Sequence, residues 1–399
     1  MYQRNRNNNS GFRKSIRFRR SFNRRGQGRN YRKKKFFDPS LLVRKATAEQ
    51  PGEYIPKHVF SDFQLSRKLK ENIQSKGFKN PTPIQDQVIP LLLDNRDVIG
   101  MARTGTGKTV AFLIPLINKI YRDRNQKALI VAPTRELALQ IEMEFKTLVS
   151  QMQLYSVACI GGVSTHGQIA KLRTRPNFVI GTPGRLKDLS QRRILRFTDY
   201  SSIVLDEVDR MLDMGFLPDV KQIIAALPRP RQSLFFSATL PDKMRNLTRD
   251  FLNNPVMISA QSNNASINVD QDVIKINGKP KEDLLHDLLI RKEFHKVLIF
   301  GRTKWGIEKL VKNLKRRGFN AASIHGNKSQ NQRQRALADF KTNRVQILLA
   351  TDIASRGLHI DNVTHVINYD LPESYEDYIH RIGRTGRLDQ KGTALSFID

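Results

Sequence analysis

From about residue 58 onward the chain repeats one pattern: a short unbroken apolar run, a turn, then a stretch with helical spacing. The runs cover 97–102, 127–133, 156–162, 178–184, 202–209 and 233–239. Between the second and third of them Leu137, Ile141, Phe145 and Leu148 recur at three- and four-residue intervals, which predicts an amphipathic helix. Strands and helices alternating in this way imply a parallel sheet covered on both faces. The polar, turn-rich stretch 261–272, QSNNASINVDQD, reads as a linker. The alternation then restarts, with runs at 296–303, 321–326, 345–352, 365–371 and 393–398. Two α/β domains in tandem are therefore expected, over 58–260 and 273–399, behind a connecting segment at 37–57. The sequence ends in or just after its last apolar run, and no further C-terminal module is expected from it.

Residues 1–36 break the pattern. They are rich in Arg, Asn and Gly, with Phe12, Phe18, Phe22 and Tyr31 scattered among the charges. So little apolar surface cannot offset the entropy of ordering, and a disordered basic tail is expected. Arg interleaved with aromatics suits neutralising phosphates and stacking on single-stranded bases; an organelle-targeting segment shares this composition. The tail's 14 basic residues account for less than half of the net charge of +32, which comes from 69 Lys+Arg against 37 Asp+Glu. A polyanion, nucleic acid foremost, is the expected partner. No apolar run approaches the roughly 20 residues of a membrane span, and no apolar stretch follows the basic start as in a secretory signal. A single cysteine, Cys159, rules out an internal disulfide framework and suits a reducing compartment. The expectation is a cytoplasmic monomer with no membrane partner.

Two stretches carry chemistry of their own. Ala102–Thr109, ARTGTGKT, stands between an apolar run and the helical VAFLIPLINKIY. A glycine-rich turn there lets backbone N–H groups wrap phosphates at a helix N-terminus, with Lys108 reaching the β/γ-phosphates and Thr109 ligating Mg²⁺. Asp206–Asp209, DEVD, closes the run SSIVL. A carboxylate at such a strand end is placed to hold Mg²⁺, the role read for Asp206, and its neighbour Glu207 to orient and deprotonate the attacking water. Carboxylates crowded in this way repel unless a cation sits among them. Together these stretches predict an ATPase or GTPase.

Further motifs follow in a fixed order: GFKNPTPIQ at 77–85, PTREL at 133–137, GG at 161–162, TPGR at 182–185 and SAT at 237–239. Beyond the linker stand HGNKSQNQR at 325–333, ATDIASRG at 350–357 and HRIGRTGR at 380–387. With the phosphate loop and DEVD, this set is similar to the DEAD-box RNA helicases of superfamily 2 over nearly all of 58–399. The resemblance implies two tandem RecA-like domains, ATP and Mg²⁺ as cofactors, and RNA as partner. It also implies an ATP-dependent RNA helicase that hydrolyses ATP on domain closure and separates short duplexes or remodels RNA–protein complexes. Carried over position by position, the nucleotide lies on Ala102, Arg103, Thr104, Gly105, Thr106, Gly107, Lys108 and Thr109. Gln85 reads the adenine and Phe60 stacks on it; a buried amide paired with a base edge separates ATP from GTP. For Phe60 taken alone, a core aromatic is the plainer reading. Arg384 and Arg387 are implied as arginine fingers, His380 as their link to the first domain, and Asp209, Ser237 and Thr239 as coupling residues. The RNA track is implied along Pro133, Thr134, Arg135, Gly162, Thr182, Pro183, Gly184 and Arg185 of the first domain. Arg302, Gly326, Gln330, Arg333 and Thr351 continue it in the second. Such hydroxyls, glycines and arginines suit phosphate and ribose contacts, so binding is expected to be largely sequence-independent. An ATP-gated RNA clamp or annealing chaperone, and a DNA-directed superfamily 2 motor, are the rival readings.

Two positions depart from the family pattern. Val208 stands where the name-giving Ala would be, and minor repacking is expected. His359 stands where most relatives carry an Asp toward the ATP ribose, which bears on nucleotide affinity.

Overall fold

The computed structural model describes residues 42–46, 54–102, 105–239, 242–260, 268–355, 363–386 and 391–398. The tail 1–36, and with it the expectation of disorder, lies outside these residues.

The first lobe is built on seven strands: β1 (Val98–Met101), β2 (Ala128–Val131), β3 (Ser156–Cys159), β4 (Phe178–Gly181), β5 (Ser202–Leu205), β6 (Gln232–Ser237) and β7 (Val256–Ser259). They form one parallel sheet in the order β3-β4-β2-β5-β6-β1-β7. The inner strands β2, β4, β5 and β6 are buried at every residue, as unbroken apolar runs covered on both faces must be. The edge strands β3 and β7 instead alternate in exposure from residue to residue. Side chains that follow one another along a strand leave opposite faces of the sheet. Phe236 accordingly joins a core with Phe112, Phe145 and Phe178, while its neighbour Phe235 joins the other core with Ile203, Leu205 and Val208. The predicted helix appears at Arg135–Leu148, burying Leu137, Ile141, Phe145 and Leu148.

The second lobe holds β8 (Val269–Lys275), β9 (Val297–Phe300), β10 (Ala321–Ile324), β11 (Ile347–Ala350), β12 (His365–Asn368) and β13 (Gly392–Ile398). All pair in parallel, in the order β10-β11-β9-β12-β13-β8. Val297 and Ile299 feed one core and Leu298 and Phe300 the other. No helix among the described residues is long and apolar enough to cross a membrane.

Two boundaries differ from the sequence reading. Residues 269–272, assigned to the linker for their polarity, are the first half of β8. Asp270 is half-buried and Asp272 exposed, as on an edge strand, while Val269 and Gln271 are buried. The segment 37–57, read only as a connector, also carries structure. Arg44 donates its N–H to the Gln271 carbonyl at 3.0 Å and accepts one from the Gln271 N–H at 2.7 Å, adding an antiparallel bridge outside β8. Ala46 N–H reaches Asp270 Oδ1 at 2.8 Å. Leu42 is fully buried among Val269, Tyr378, Ile382 and Ala394. A stretch that precedes the first lobe in sequence is thus docked on the second.

The loops at the C-terminal ends of β1–β6 and of β9–β12 carry the motif residues, which is where open parallel sheets bind ligands. Leu42→Ala is expected to destabilise the second lobe by about 2–4 kcal/mol, since it empties a closed apolar site. Hydrogen exchange should localise the loss to β8 and the helix Tyr375–Ile382, leaving β1–β6 protected; uniform protection in both lobes would refute the docking.

Candidate active site and nucleic-acid interface

The phosphate loop leaves β1 and enters the helix Lys108–Arg122 through Gly107, whose φ is +90°. A Cβ at Gly107 would sit 2.3 Å from Gln85 Nε2, so no other residue fits. Gln85 is buried and fastens two elements: its Oε1 accepts the Thr82 N–H at 3.0 Å, and its Nε2 donates to the Gly107 carbonyl at 3.1 Å. Thr82 Oγ1 donates to the Thr106 carbonyl at 2.8 Å. Each atom of the Gln85 amide keeps one further hydrogen-bonding site. Phe60 is 5% exposed and packs against Phe63 and Phe78, the position of a core aromatic. Arg103 and Thr104 lie outside the described residues.

At the end of β5 the DEVD side chains divide. Asp206 is buried and accepts the Glu207 N–H at 2.9 Å. Desolvation pushes its carboxyl up to about 6 against the pull of the Lys108 ammonium, and the Glu207 charge adds to the rise. Glu207 has φ +54°, a left-handed conformation costly for a residue with a Cβ. Its Oε2 accepts from Arg210 Nη1 at 2.5 Å. Burial works to raise the Glu207 carboxyl, but the positive charges of Arg210, Lys108 and Arg384 outweigh it and hold it below its ordinary value. Asp209 points the other way: its Oδ2 accepts the N–H groups of Ala238 and Thr239 at 2.9 and 3.0 Å and the Thr239 hydroxyl at 3.2 Å. Ser237 Oγ accepts the Asp209 N–H at 3.2 Å. The three residues assigned to coupling therefore form one junction between the ends of β5 and β6. Val208 is buried in the apolar core behind them. Lys108 is 6% exposed, and its Nζ has no hydrogen-bond partner among the described residues.

From the second lobe Arg384, itself buried, lies near enough for its charge to act on Glu207. His380 is half-buried on the helix Tyr375–Ile382. Arg381, between them, was not assigned a role from sequence. It forms a two-pronged pair with Asp352 at 2.5 and 2.7 Å and donates to the Asn368 Oδ1 and the Asp370 carbonyl. Arg387 and His359 lie outside the described residues.

A cleft of about 550 Å³ gathers Pro133, Thr134, Arg135, Thr182, Gly184 and Arg185 from the first lobe with Gly326 and Arg333 from the second. Glu136, Gly161, Met214, Phe216 and Lys328 complete its wall. Thr134 is buried and caps its helix by accepting the Leu137 N–H at 3.2 Å. Arg135 lies against Gly162, where an added Cβ would come within 2.1 Å of its Nη1. Burial lowers the tendency of Arg135 to hold its proton, and Arg333 and Arg185 add to that, while Glu136 opposes it. Arg185 Nη1 and Arg333 Nε are buried without a hydrogen-bond partner among the described residues. Converging guanidinium groups with unsatisfied donors make an anion site.

Glu136, which received no role from the PTREL motif, joins the lobes: its Oε1 accepts from Gln330 Nε2 at 2.9 Å and pairs with Arg333 Nη2 at 3.0 Å. Gln330 and Arg333, assigned to RNA, thus also clamp the first lobe. Pro183, Arg302 and Thr351 do not line the cleft. Arg302 is exposed with its N–H held by Asp370 Oδ2 at 2.8 Å, and the Thr351 N–H faces the Ile324 carbonyl at 3.4 Å. The Gly326 loop is fixed by Glu308, which binds His325 at 2.6 Å and Lys328 at 2.9 Å. Burial works to raise the Glu308 carboxyl, but the Ser323, His325 and Lys328 contacts together lower it to about 2.

Because Arg210 is the first of the charges that keep Glu207 ionised, Arg210→Met should raise the Glu207 pKa. A base works in its ionised form, above its pKa, so the acid limb of the ATP turnover profile should move to higher pH. An unmoved limb in a variant of normal melting temperature would remove Glu207 from the base role.

Comparison with known proteins agrees with this geometry. The DEAD/DEAH box helicase family model matches residues 82–247, and the helicase conserved C-terminal domain model matches 280–389. The ATP-dependent RNA helicase CshA of Listeria monocytogenes is 42% identical over 341 residues, covering 85% of this chain and 66% of that protein. The Bacillus subtilis DEAD-box ATP-dependent RNA helicase CshA is also 42% identical, over 85% of this chain and 69% of that protein. The chain thus spans about two thirds of the length of these relatives. Among solved structures, Saccharomyces cerevisiae Dbp5 bound to RNA and ADP BeF3 superposes with a TM-score of 0.75 at 31% identity, over 85% of this chain and 89% of that one. Mss116p bound to single-stranded RNA and AMP-PNP gives 0.76 at 32%, over 84% and 72%. With both lobes matched, a phosphate loop beside DEVD carboxylates, and a cationic cleft shared between the lobes, the chain belongs to the DEAD-box family of ATP-dependent RNA helicases.

Proposed function

We propose that this chain is an RNA-dependent ATPase whose lobes close together on ATP and on one RNA strand, and that closure separates short duplexes or strips proteins from RNA. The observation that carries this reading is Lys108, a buried ammonium without a hydrogen-bond acceptor among the described residues, acting on Asp206, Glu207 and Asp209. Phosphate is the group such an ammonium lacks. The β/γ-phosphates of ATP fit beside Lys108 and the N-terminus of its helix, and Gln85 has hydrogen-bonding capacity left for adenine.

Mg²⁺ fits the same place. Asp206, its carboxyl driven up by burial and by Glu207, offers one ligand and Thr109 another. No cluster of three or more His, Cys, Asp or Glu stands ready for a metal among the described residues, so phosphate and water would complete the shell. Bound there, the cation neutralises charge on the phosphates. Glu207, ionised and held by Arg210, orients the attacking water and takes its proton. Arg384, with Arg387, supplies positive charge for the phosphoryl oxygens only when the lobes are together. Asp209 connects this centre to Ser237 and Thr239, and the Glu136 contacts with Gln330 and Arg333 hold the lobes closed. In the cleft, Arg135, Arg185 and Arg333 take RNA phosphates, which accounts for guanidinium donors otherwise left unsatisfied. In the DEVD tetrapeptide the Val208 methyls pack into the core rather than the site, so the variant is compatible with full activity.

Steady-state ATP hydrolysis with and without single-stranded RNA tests the proposal. RNA should stimulate turnover strongly; Glu207→Gln should lower kcat by about 100-fold or more, and Arg384→Ala by about 1000-fold or more. Turnover indifferent to RNA, or surviving Glu207→Gln, would sink this reading.

A further inference from the structure

Trp305 is the single tryptophan of the chain, and 74% of it is exposed. It is the second residue of the helix Lys304–Arg316, which Thr303 caps by accepting the Gly306 N–H at 3.0 Å. That helix buries Ile307, Leu310, Val311 and Leu314, a stripe along one face. At 100° per residue Trp305 stands on the opposite face, so packing does not explain the indole. It makes no ring contact or hydrogen bond among the described residues.

Its position relates it to the cleft. The helix begins directly after β9, at the strand ends that carry the motif loops. Lys304, its neighbour, donates to Asn327 Oδ1 at 2.9 Å, and Asn327 lies between Gly326 and Lys328, both in the cleft wall. Arg302, exposed on the other side of Thr303, adds a second cation. The cleft itself offers guanidinium groups, hydroxyls and glycines, which hold phosphates and ribose and leave bases without a partner. A large exposed π-face among cations at the end of such a track is what an unstacked base needs.

We propose that Trp305 is a nucleobase-stacking platform that extends the RNA track past the Gly326 loop, taking one unpaired base of single-stranded RNA. The inference rests on the cleft being the RNA site. A protein partner seated on Trp305 is the competing use of an exposed indole; the flanking Arg302 and Lys304 favour RNA.

Because no other tryptophan contributes, the fluorescence of the full chain reports Trp305 alone. Oligo(U) RNA added with a non-hydrolysable ATP analogue should quench it. By anisotropy of labelled oligo(U), Trp305→Ala should bind about 5- to 100-fold more weakly, and Trp305→Phe should retain most of the affinity. A scan of single abasic positions should find one that weakens the wild type but not Trp305→Ala. RNA binding of wild-type strength in Trp305→Ala, with unchanged fluorescence in the wild type, would overturn the stacking role. It would leave the cleft intact and redirect Trp305 to a protein partner. No RNA binding by the wild type would overturn both readings.

Discussion

The structure depends on charges buried beside one another at the ends of β1 and β5. An ionised group taken out of water costs several kcal/mol unless it is paired and hydrogen-bonded, and here the buried Asp206 and Glu207 and the half-buried Asp209 of one tetrapeptide lie close to the buried Lys108. Each finds a different solution. Asp209 is satisfied by the end of β6, and Glu207 by Arg210. Asp206 is left with the Glu207 N–H and the field of Lys108, too little to keep its carboxyl in the usual range. The arrangement is incomplete as protein alone, and on the proposed reading a phosphate chain with its counter-cation would complete it.

The same logic governs the cleft between the lobes with the signs reversed. Arg135, Arg185 and Arg333 meet in the cleft with Glu136, which already pairs with Arg333 and Gln330 across the gap, while Arg185 Nε stands 3.7 Å from Asp188 Oδ2. An anion bound there relieves repulsion between side chains of both lobes, so binding and closure favour one another by ordinary linkage. Asp209 and Thr239 lie on the first-lobe side and Arg384 on the second, so on the proposed reading closure would bring the coupling junction and the arginine together.

The second lobe is braced from an unexpected direction. Leu42 packs against Tyr378 and Ile382 of the helix that leads to Arg384, and Arg44 covers the free edge of β8. A sheet edge left bare invites pairing with other chains. Here the chain covers it with its own N-terminal segment, next to the element that bears the arginine.

Local pattern was enough to identify both parallel sheets, because strands buried on both faces must be written as unbroken apolar runs, as in Phe178–Gly181 and Ile347–Ala350. It was enough, too, to single out Lys108, Asp206 and Glu207 as candidates for phosphate chemistry, since that reading rests on neighbours a few positions away. Edge strands escaped it: β8, with three polar residues in a row at 270–272, has the composition of a linker there and becomes a strand only because β13 lies beside it. The aromatic neighbours of Phe60, Phe63 and Phe78, could not be read from sequence. Glu136, Arg381 and Leu42 had no signal of their own, since each acts on partners tens to hundreds of positions away. Sequence by itself determined which residues could carry phosphate chemistry and how many sheets would present them. Only the tertiary structure decided which charges neutralise which, because that depends on distance and burial across elements far apart in the chain.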